Sequence, residues 1–328
     1  MDRRAIIRTI GSLVVLAAPW IAKAQTKTSV RRIGELDPGE PESAEYLEDD
    51  RAARRKLGWI EGQNLLVERR YARGRADLLR PLAEELVRLR VELIVTGGTA
   101  ATLAAKSVTN TIPIVFNSAG DPVRTGLVTS LGRPGGNVTG YSVVETEINA
   151  KRLALLRECV PAIQRVGVLQ NPLSAPYYRA TREGLEAAFR SLGIQPIFIE
   201  VAVASDLASA VAEVARRGGQ GLLVSADALF EDNKSELMDA VLVHALPMAT
   251  WDMLIPEVGA LVSYDRLGSE QQDRVAALID RILRGAKPGD LPVAQPTKFR
   301  LVVNLKTAKA LRLTIPKSLL VRADEVIQ

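Results

Sequence analysis

Polar residues and glycines follow several short apolar runs in this sequence, where they could together bind a small polar molecule. The run VELIV leads into Gly97-Gly98-Thr99-Ala100, in which two glycines before an alanine-rich helix would expose backbone amides to a carboxylate. Asp121 and Asp227 follow two other apolar runs, and either carboxylate could pair with an ammonium group. An anion site combined with carboxylates indicates recognition of a small zwitterion.

Aromatic residues are scarce, at 4% of the chain, yet Trp251 and Tyr264 fall close to the ends of such runs. Both could form aromatic walls around the side chain of a solute. Simpler alternatives stay open, because Asp121 could only cap a helix after Pro122 and Trp251 could only be a core residue. The predicted ligand-binding set is Asp37, Gly98, Thr99, Ala100, Asp121, Asn171, Asp227, Trp251 and Tyr264.

The sequence carries few of the residues that enzymes and metal sites commonly use. It has one histidine, His244, and one cysteine, Cys159, which excludes a site of several imidazoles and a cysteine-based zinc cluster. The glycine-rich segment at residue 97 has Ala100 and Ala105 where a phosphate loop requires glycine. We therefore expect no catalytic residues, no metal and no cofactor.

Two functions other than solute reception stay open from the residues alone. An exported α/β enzyme could use Asp121 or Asp227 as a general base, although no motif supplies a nucleophile beside either residue. A sensor lobe of a signalling protein would need a fused or partner output domain, which this sequence does not show. Saturable binding without turnover would favour the receptor over the enzyme.

Segments typical of strands and helices alternate along the chain, and these elements must position the polar residues. The strands are short continuous apolar runs, as in parallel sheets covered by helices on both faces. Such sheets bind ligands at the carboxyl ends of their strands. We predict an α/β fold with two doubly wound parallel-sheet lobes, 29–142 plus 266–328 and 143–265, and a helix after Pro122 that runs through Leu131.

The first 24 residues have the pattern of a secretory signal peptide. A basic cluster at residues 2–8 precedes an apolar run from Ile10 to Ala22, and Ala22-Lys23-Ala24 has the small residues of a cleavage site. The run is too short to span a bilayer, which predicts cleavage after Ala24 and a periplasmic mature chain without a membrane span. An uncleaved N-terminal anchor is the alternative.

The charge pattern argues against nucleic-acid binding. The chain has 43 basic and 38 acidic residues, and four of the basic residues with one acidic residue lie in the first 24. The remaining charges are nearly balanced and both signs are interleaved, whereas a nucleic-acid binder would show a basic patch or stripe. We expect a monomer that binds a small-molecule ligand.

Several stretches from about Arg32 to the C-terminus resemble one known family. The matching stretches are LGWIEGQN at 57–64, PIVF at 113–116, GDPV at 120–123, RPGGNVTG at 133–140, QPTKF at 295–299 and NLKTAKAL at 304–311. They are similar to the periplasmic substrate-binding proteins of ABC transporters, in the branch that includes tryptophan- and aromatic-amino-acid-binding members. The resemblance implies a type I periplasmic-binding-protein fold with three crossovers between the lobes, and an ABC transporter permease as partner.

The resemblance also assigns residues to the two sides of the cleft. It implies that the Gly98–Ala100 loop and Asp121 serve the first lobe, and that Asn171 and Asp227 serve the second. A zwitterionic or aromatic solute would then be held in the interlobe cleft by hinge closure.

This sequence departs from the family at its first strand and first helix. Glu35 stands where an apolar residue is usual, Asp37 stands where a small hydroxyl residue is common, and the helix is charged from Glu48 to Lys56. These departures indicate either a changed ligand specificity or an impaired protein.

Overall fold

Two β-sheets form the described part of the chain, which comprises residues 30–172, 175–224, 226–251 and 259–328 of this computed structural model. The predicted signal peptide, residues 1–24, lies outside the described residues. Within the described ranges, no helix combines the length and the apolar character that a membrane span requires.

The first sheet has five strands and is the framework of the N-terminal half. Its elements are β1 (Arg31–Asp37), α1 (Ala44–Arg55), β2 (Leu65–Tyr71), α2 (Ala76–Arg88), β3 (Leu93–Thr96), α3 (Gly98–Val108), β4 (Ile114–Ala119) and β5 (Val138–Ser142). All neighbouring strands are parallel, in the order β2-β1-β3-β4-β5. The ends of β1, β3 and β4 therefore lie side by side, which places Asp37, Gly97 and Asn117 at one edge.

The second sheet repeats this plan and adds two strands. The described elements from residue 145 onward are α4 (Glu145–Cys159), β6 (Arg165–Gln170), α5 (Ala175–Leu192), β7 (Gln195–Glu200), α6 (Leu207–Arg216), β8 (Leu222–Val224), α7 (Ala228–Asp232), α8 (Lys234–Val243), β9 (Met248–Thr250), β10 (Val262–Arg266), α9 (Gly268–Leu283), which packs on the first sheet, β11 (Phe299–Asn304), α10 (Leu305–Ala310), α11 (Lys317–Arg322) and β12 (Glu325–Ile327). The order is β12-β11-β10-β9-β8-β6-β7, and β11 runs antiparallel to β10. Strands β6 to β10 thus have the winding of the first sheet, which confirms the predicted α/β fold with two doubly wound lobes.

Apolar side chains cover both faces of the first sheet. Phe116 of β4 packs in one cluster with Ile94, while its neighbour Val115 packs in another with Val95. This burial on both faces explains the continuous apolar runs of the strands. Gly140 of β5 is required by close approach, since a Cβ there would stand 2.2 Å from the carbonyl oxygen of Phe116.

Lobe 1, as we use the term, is the first sheet with α1–α3 and α9, and lobe 2 is the second sheet with the other helices. The chain crosses between them three times, at residues 143–144, at 267 and at 284–298. Val144 in the first crossover has φ +45°, a conformation that is rare for a β-branched residue. Glu270 ties the other two crossovers together, because its carboxylate accepts from the amides of Thr297 and Lys298 at 3.1 and 3.0 Å.

A fully buried arginine joins the first and second crossovers. Arg152 Nη1 donates to Glu145 Oε1 and to Asn149 Oδ1, both at 2.8 Å, and Nε donates to the carbonyl of Tyr264 at 2.9 Å. Its Nη2 lies 3.5 Å from Asp265 Oδ1. Both crossovers are therefore anchored to one buried charge.

The structure differs from the sequence predictions in two places. The segment 266–328, predicted for lobe 1, is divided: α9 packs on the first sheet, whereas β11 and β12 lie in the second. The helix predicted after Pro122 through Leu131 is absent, and this described segment forms turns in which Leu127 N and Val128 N both donate to the Pro122 carbonyl. Glycines at 126 and 132 favour turns over a continuous helix.

Candidate functional site

The two lobes meet where the loop after β1 faces α7. Gly39 N donates to Asp37 Oδ1 at 2.8 Å, and the next amide, Glu40 N, donates to Asp232 Oδ2 of α7 at 3.3 Å. A Cβ on Gly39 would stand 3.2 Å from the Cβ of Ala228. Carboxylates of opposite lobes thus hold two consecutive amides of one loop.

Asp37 is the predicted site residue whose electrostatics are most altered. Burial raises the pKa of Asp37 to about 7, against the hydrogen bond from Gly39, which lowers it. The negative charges of Glu42 in lobe 1 and of Glu231 and Asp232 in lobe 2 raise this pKa further. A carboxyl group with this pKa is partly protonated at neutral pH, so Asp37 can both donate and accept a hydrogen bond.

Gly97, after β3, provides the space that the Asp37 carboxylate occupies. A Cβ at position 97 would stand 2.1 Å from Asp37 Oδ2, so the Gly97→Ala variant must displace that side chain. We expect thermal unfolding of this variant to occur about 2–6 °C below the wild type. Gly132→Ala is the matched control, because nothing lies within 4 Å of a Cβ there. Equal melting temperatures for both variants would contradict this contact.

Asn171 and Asp227 form a pair at the corresponding edge of lobe 2. Asn171 Nδ2 donates to Asp227 Oδ1 at 2.9 Å. The same oxygen accepts from Leu229 N at 3.0 Å and caps α7. Because α7 carries Asp232 to the loop after β1, this pair lies at the junction that also contains Asp37.

The predicted anion site lies at the start of α3, directly after Gly97. Gly98 has φ +73°, which glycine tolerates, and it begins the helix. Thr99 is 7% exposed, and its hydroxyl has no hydrogen-bond partner in the part of the chain that the structure describes. Ala100 packs against the hydrophobic cluster of lobe 1. This helix start therefore lies beside Asp37, with one buried hydroxyl available.

Asp121 contacts Arg124 in the turn that follows it, and the helix that the capping alternative needs is absent from this described segment. Its Oδ1 accepts from Arg124 N at 3.2 Å, and its Oδ2 lies 3.3 Å from Arg124 Nε. Arg124 also approaches Glu183 of lobe 2 at 3.5 Å, in a second contact between the lobes. The Asp121 carboxylate is thus held within its own turn.

The two predicted aromatic walls pack as core residues. Trp251 is 3% exposed and lies in the lobe 2 cluster with Val224 and Met248. Tyr264 stacks on Phe299 of β11, with ring centroids 5.4 Å apart and planes inclined by 9°. Position at a strand end does not determine which way a side chain faces, and strand alternation places Tyr264 on the same face of the sheet as Phe299.

A cavity of about 30 Å³ lies at the carboxyl ends of β1, β3 and β4, between α1 and α9. Its polar lining residues are Glu35, Asp37, Glu42, Tyr46, Asp50, Arg54, Asn117, Gln271 and Gln272. Sequence reasoning identified only Asp37 of this set as a site residue. The available signal was the spacing of Tyr46, Asp50 and Arg54, since residues four apart share one face of a helix.

Charged residues behind this cavity form a connected network. Arg54 pairs with Glu35 and, one helical turn away, with Asp50. Arg69 Nε lies 2.8 Å from Glu35 Oε2, and its Nη1 and Nη2 donate to the two oxygens of Glu61 at 2.6 and 2.9 Å. Burial raises the pKa of Asp50 to about 6, whereas hydrogen bonds from Arg69 lower the pKa of Glu61 to about 2. The departure at Glu35 is therefore matched by two arginines.

Comparison with known families assigns this chain. The family model described as ABC transporter substrate binding protein matches residues 51–327. The chain belongs to this family. Membership confirms the resemblance seen in the sequence and gives the lobe junction the setting of a substrate-binding protein.

Individual relatives of this substrate-binding protein support the same fold. A tyrosine-binding protein of Clostridioides difficile (strain R20291) is 25% identical over 258 residues, which cover 77% of this chain and 72% of the relative. A conserved domain protein of Vibrio cholerae superposes with a TM-score of 0.83 at 25% identity, covering 91% of this chain and 100% of its own. An ABC domain from Streptococcus pneumoniae in complex with L-Trp gives 0.81 at 24% identity, with the same coverage.

Proposed function

We propose that this substrate-binding protein is an exported receptor that holds a small zwitterionic or aromatic, amino acid-like solute between its lobes. The observation that carries the proposal is the contact between the loop that follows Asp37 in lobe 1 and α7 of lobe 2, the helix that Asp227 of the Asn171–Asp227 pair caps. Parallel α/β sheets bind ligands at this edge. The relatives named for tyrosine binding and for a complex with L-Trp support an amino acid as the class of solute.

The polar groups at the junction suit the two charges of a zwitterion. The start of α3, with Gly98 and the Thr99 hydroxyl, can receive a carboxylate. Asp37 and Asp227 can receive an ammonium group from opposite lobes. Burial is the main reason for the raised pKa of Asp37, and repulsion from neighbouring carboxylates raises it further. A bound ammonium group would offset this repulsion.

Hinge closure explains how such a solute would be captured. A solute that touches both lobes favours the closed arrangement by its differential affinity for it. A Kd of ~1 μM corresponds to about 8 kcal/mol of binding free energy. The closed form would then present both lobes to a membrane permease, and the mature periplasmic protein would be a monomer without residues 1–24.

The alternative of an exported enzyme has less support at the candidate bases. The carboxylate of Asp121 is held by Arg124, and that of Asp227 caps a helix and accepts from Asn171. Burial raises the pKa of Cys159 to about 12, so its thiol stays protonated at neutral pH. We therefore favour a receptor without catalysis.

A thermal-shift screen of amino acids, aromatic acids and nucleosides tests the receptor function. A solute present at 100 times its Kd should stabilise the native state by roughly 2.7 kcal/mol, because it binds only the folded chain. Calorimetry of the solute that shifts the midpoint should then give one site per chain. Formation of a new product from that solute, detected by mass spectrometry, would favour the enzyme instead.

A further inference from the structure

The cavity beside the lobe junction contains polar groups other than those proposed to bind the carboxylate and the ammonium group of a zwitterion. Arg54 is 3% exposed and lines this cavity. Its Nη2 pairs with Glu35 and Asp50, but its Nε and Nη1 have no hydrogen-bond partner among the described residues. Buried donors of this kind are costly to leave unpaired, so a bound group that accepts hydrogen bonds from Arg54 would be stabilised in this cavity.

The same cavity also offers acceptors. Glu42 Oε2 is buried without a hydrogen-bond partner in the described ranges. Asp37 lines the cavity from β1, and Asn117 lines it from β4 with its amide 3.4 Å from the hydroxyl of Tyr46. A group that fits here must accept from an arginine and donate to a carboxylate.

Charge balance narrows the chemistry of that group. An added carboxylate would meet the like charges of Glu35 and Asp50, whereas an ammonium group carries no acceptor for Nε and Nη1 of Arg54. A neutral hydroxyl group can accept a hydrogen bond from Arg54 and donate one to a carboxylate of the lining. The volume of about 30 Å³ suits a group of one or two water-sized units and is too small for an indole ring.

The position of the cavity connects it to the solute. Asp37 lines the cavity, and the loop that follows it contacts α7 of lobe 2 through Glu40 N and Asp232. A solute with its zwitterion at the junction could therefore extend its side chain into the cavity. We propose that this cavity receives a hydroxyl group at the end of the solute, so that the protein selects hydroxyl-tipped amino acids over apolar-tipped ones. This inference rests on the proposed receptor function.

Calorimetric titration of the full mature chain with L-tyrosine, L-phenylalanine and L-tryptophan tests the inference. We expect L-tyrosine to bind at least about 10-fold more tightly than L-phenylalanine, because only the phenol satisfies the buried donors and acceptors. The Arg54→Lys variant keeps the charge but loses the guanidinium donors, so the ratio of its affinities for L-tyrosine and L-phenylalanine should fall toward one. Arg55→Lys is the matched control, since Arg55 is exposed and pairs with exposed Glu48.

The outcomes separate the two proposals. Equal affinities of the wild type for L-tyrosine and L-phenylalanine would show that the cavity holds only water, and would overturn the subsite while leaving the receptor function intact. An equal loss of affinity for both ligands in Arg54→Lys would also overturn it. Binding of none of the three amino acids would overturn the subsite, while the receptor function is tested separately by the wider thermal-shift screen. The wild-type comparison needs no variant, so misfolding of Arg54→Lys does not remove the test.

Discussion

Replacement of Arg152 by methionine should lower the free energy of unfolding by roughly 3–5 kcal/mol, as expected when one partner of a buried ion pair is removed. The side chain is fully buried, and its loss leaves the buried carboxylate of Glu145 without this charge partner, while Asp265 keeps its pair with Arg266. Both carboxylates lie where the chain crosses between lobes, so the damage falls on the hinge. Urea unfolding followed by circular dichroism measures the change.

The exposed pair of Arg216 and Glu213 supplies the control. Arg216 donates to both oxygens of Glu213 at 2.7 Å in a solvated position, so Arg216→Met should leave the urea midpoint unchanged. If Arg152→Met unfolds at the same urea concentration as Arg216→Met, the buried charge does not anchor the crossovers.

The second large effect is a pH dependence that Asp37→Asn should remove. The pKa of Asp37 is about 7 in the folded protein and ~3.9 in an unfolded chain, so the folded state binds more protons between these values. Stability from this group is therefore lost as pH rises from about 4 to about 7. Asparagine stays neutral, and the variant should exceed the wild type at pH 8 by roughly 2–4 kcal/mol, with a smaller difference at pH 4.

Chemical unfolding at several pH values measures this difference. Asp77→Asn is a suitable control, because Asp77 is exposed and its pKa is lowered by the hydrogen bond from Arg75. Glu231 and Asp232 also have raised pKa values from burial, but they are present in both proteins and cancel in the comparison. A wild type that is as stable as Asp37→Asn at pH 8 would contradict the buried state of this carboxyl group.

Much of the architecture could be predicted from the sequence. The continuous apolar run 165–170 corresponds to β6, because both faces of the sheets are buried, and the helical period at 207–216 corresponds to α6. The strand exits then placed Asn171 and Asp227 near one another in the second sheet, since parallel strands end at a common edge, and placed Asp37 at the corresponding edge of the first sheet. The prediction of these residues did not depend on the direction in which each side chain points.

The parts that could not be predicted depend on contacts between distant segments. Strand β12 has three residues, and it is recognised as a strand because it pairs with β11. Trp251 and Tyr264 were predicted for the cleft from their position at strand ends, yet packing decides which face they take. The cavity forms only where α1 and α9 lie side by side. These helices are far apart in sequence, and no sequence pattern links their residues, so the cavity could not be predicted.

The departure at the first strand has a physical role in this account. Glu35 alone in an apolar strand would be a costly buried charge. Arg54 and Arg69 offset it, and the charged face of α1 becomes part of the lining. The unusual first strand and first helix are therefore one feature, a polar wall beside the site where a solute is proposed to bind.

Small-angle X-ray scattering of the protein with and without L-tyrosine tests the central claim most directly. We predict that the radius of gyration falls when L-tyrosine saturates the chain, because Asp37 of one lobe and Asp227 of the other then contact the same molecule. A radius of gyration that does not change at saturation, with binding verified by calorimetry in the same buffer, would show that the lobes do not close around a shared solute.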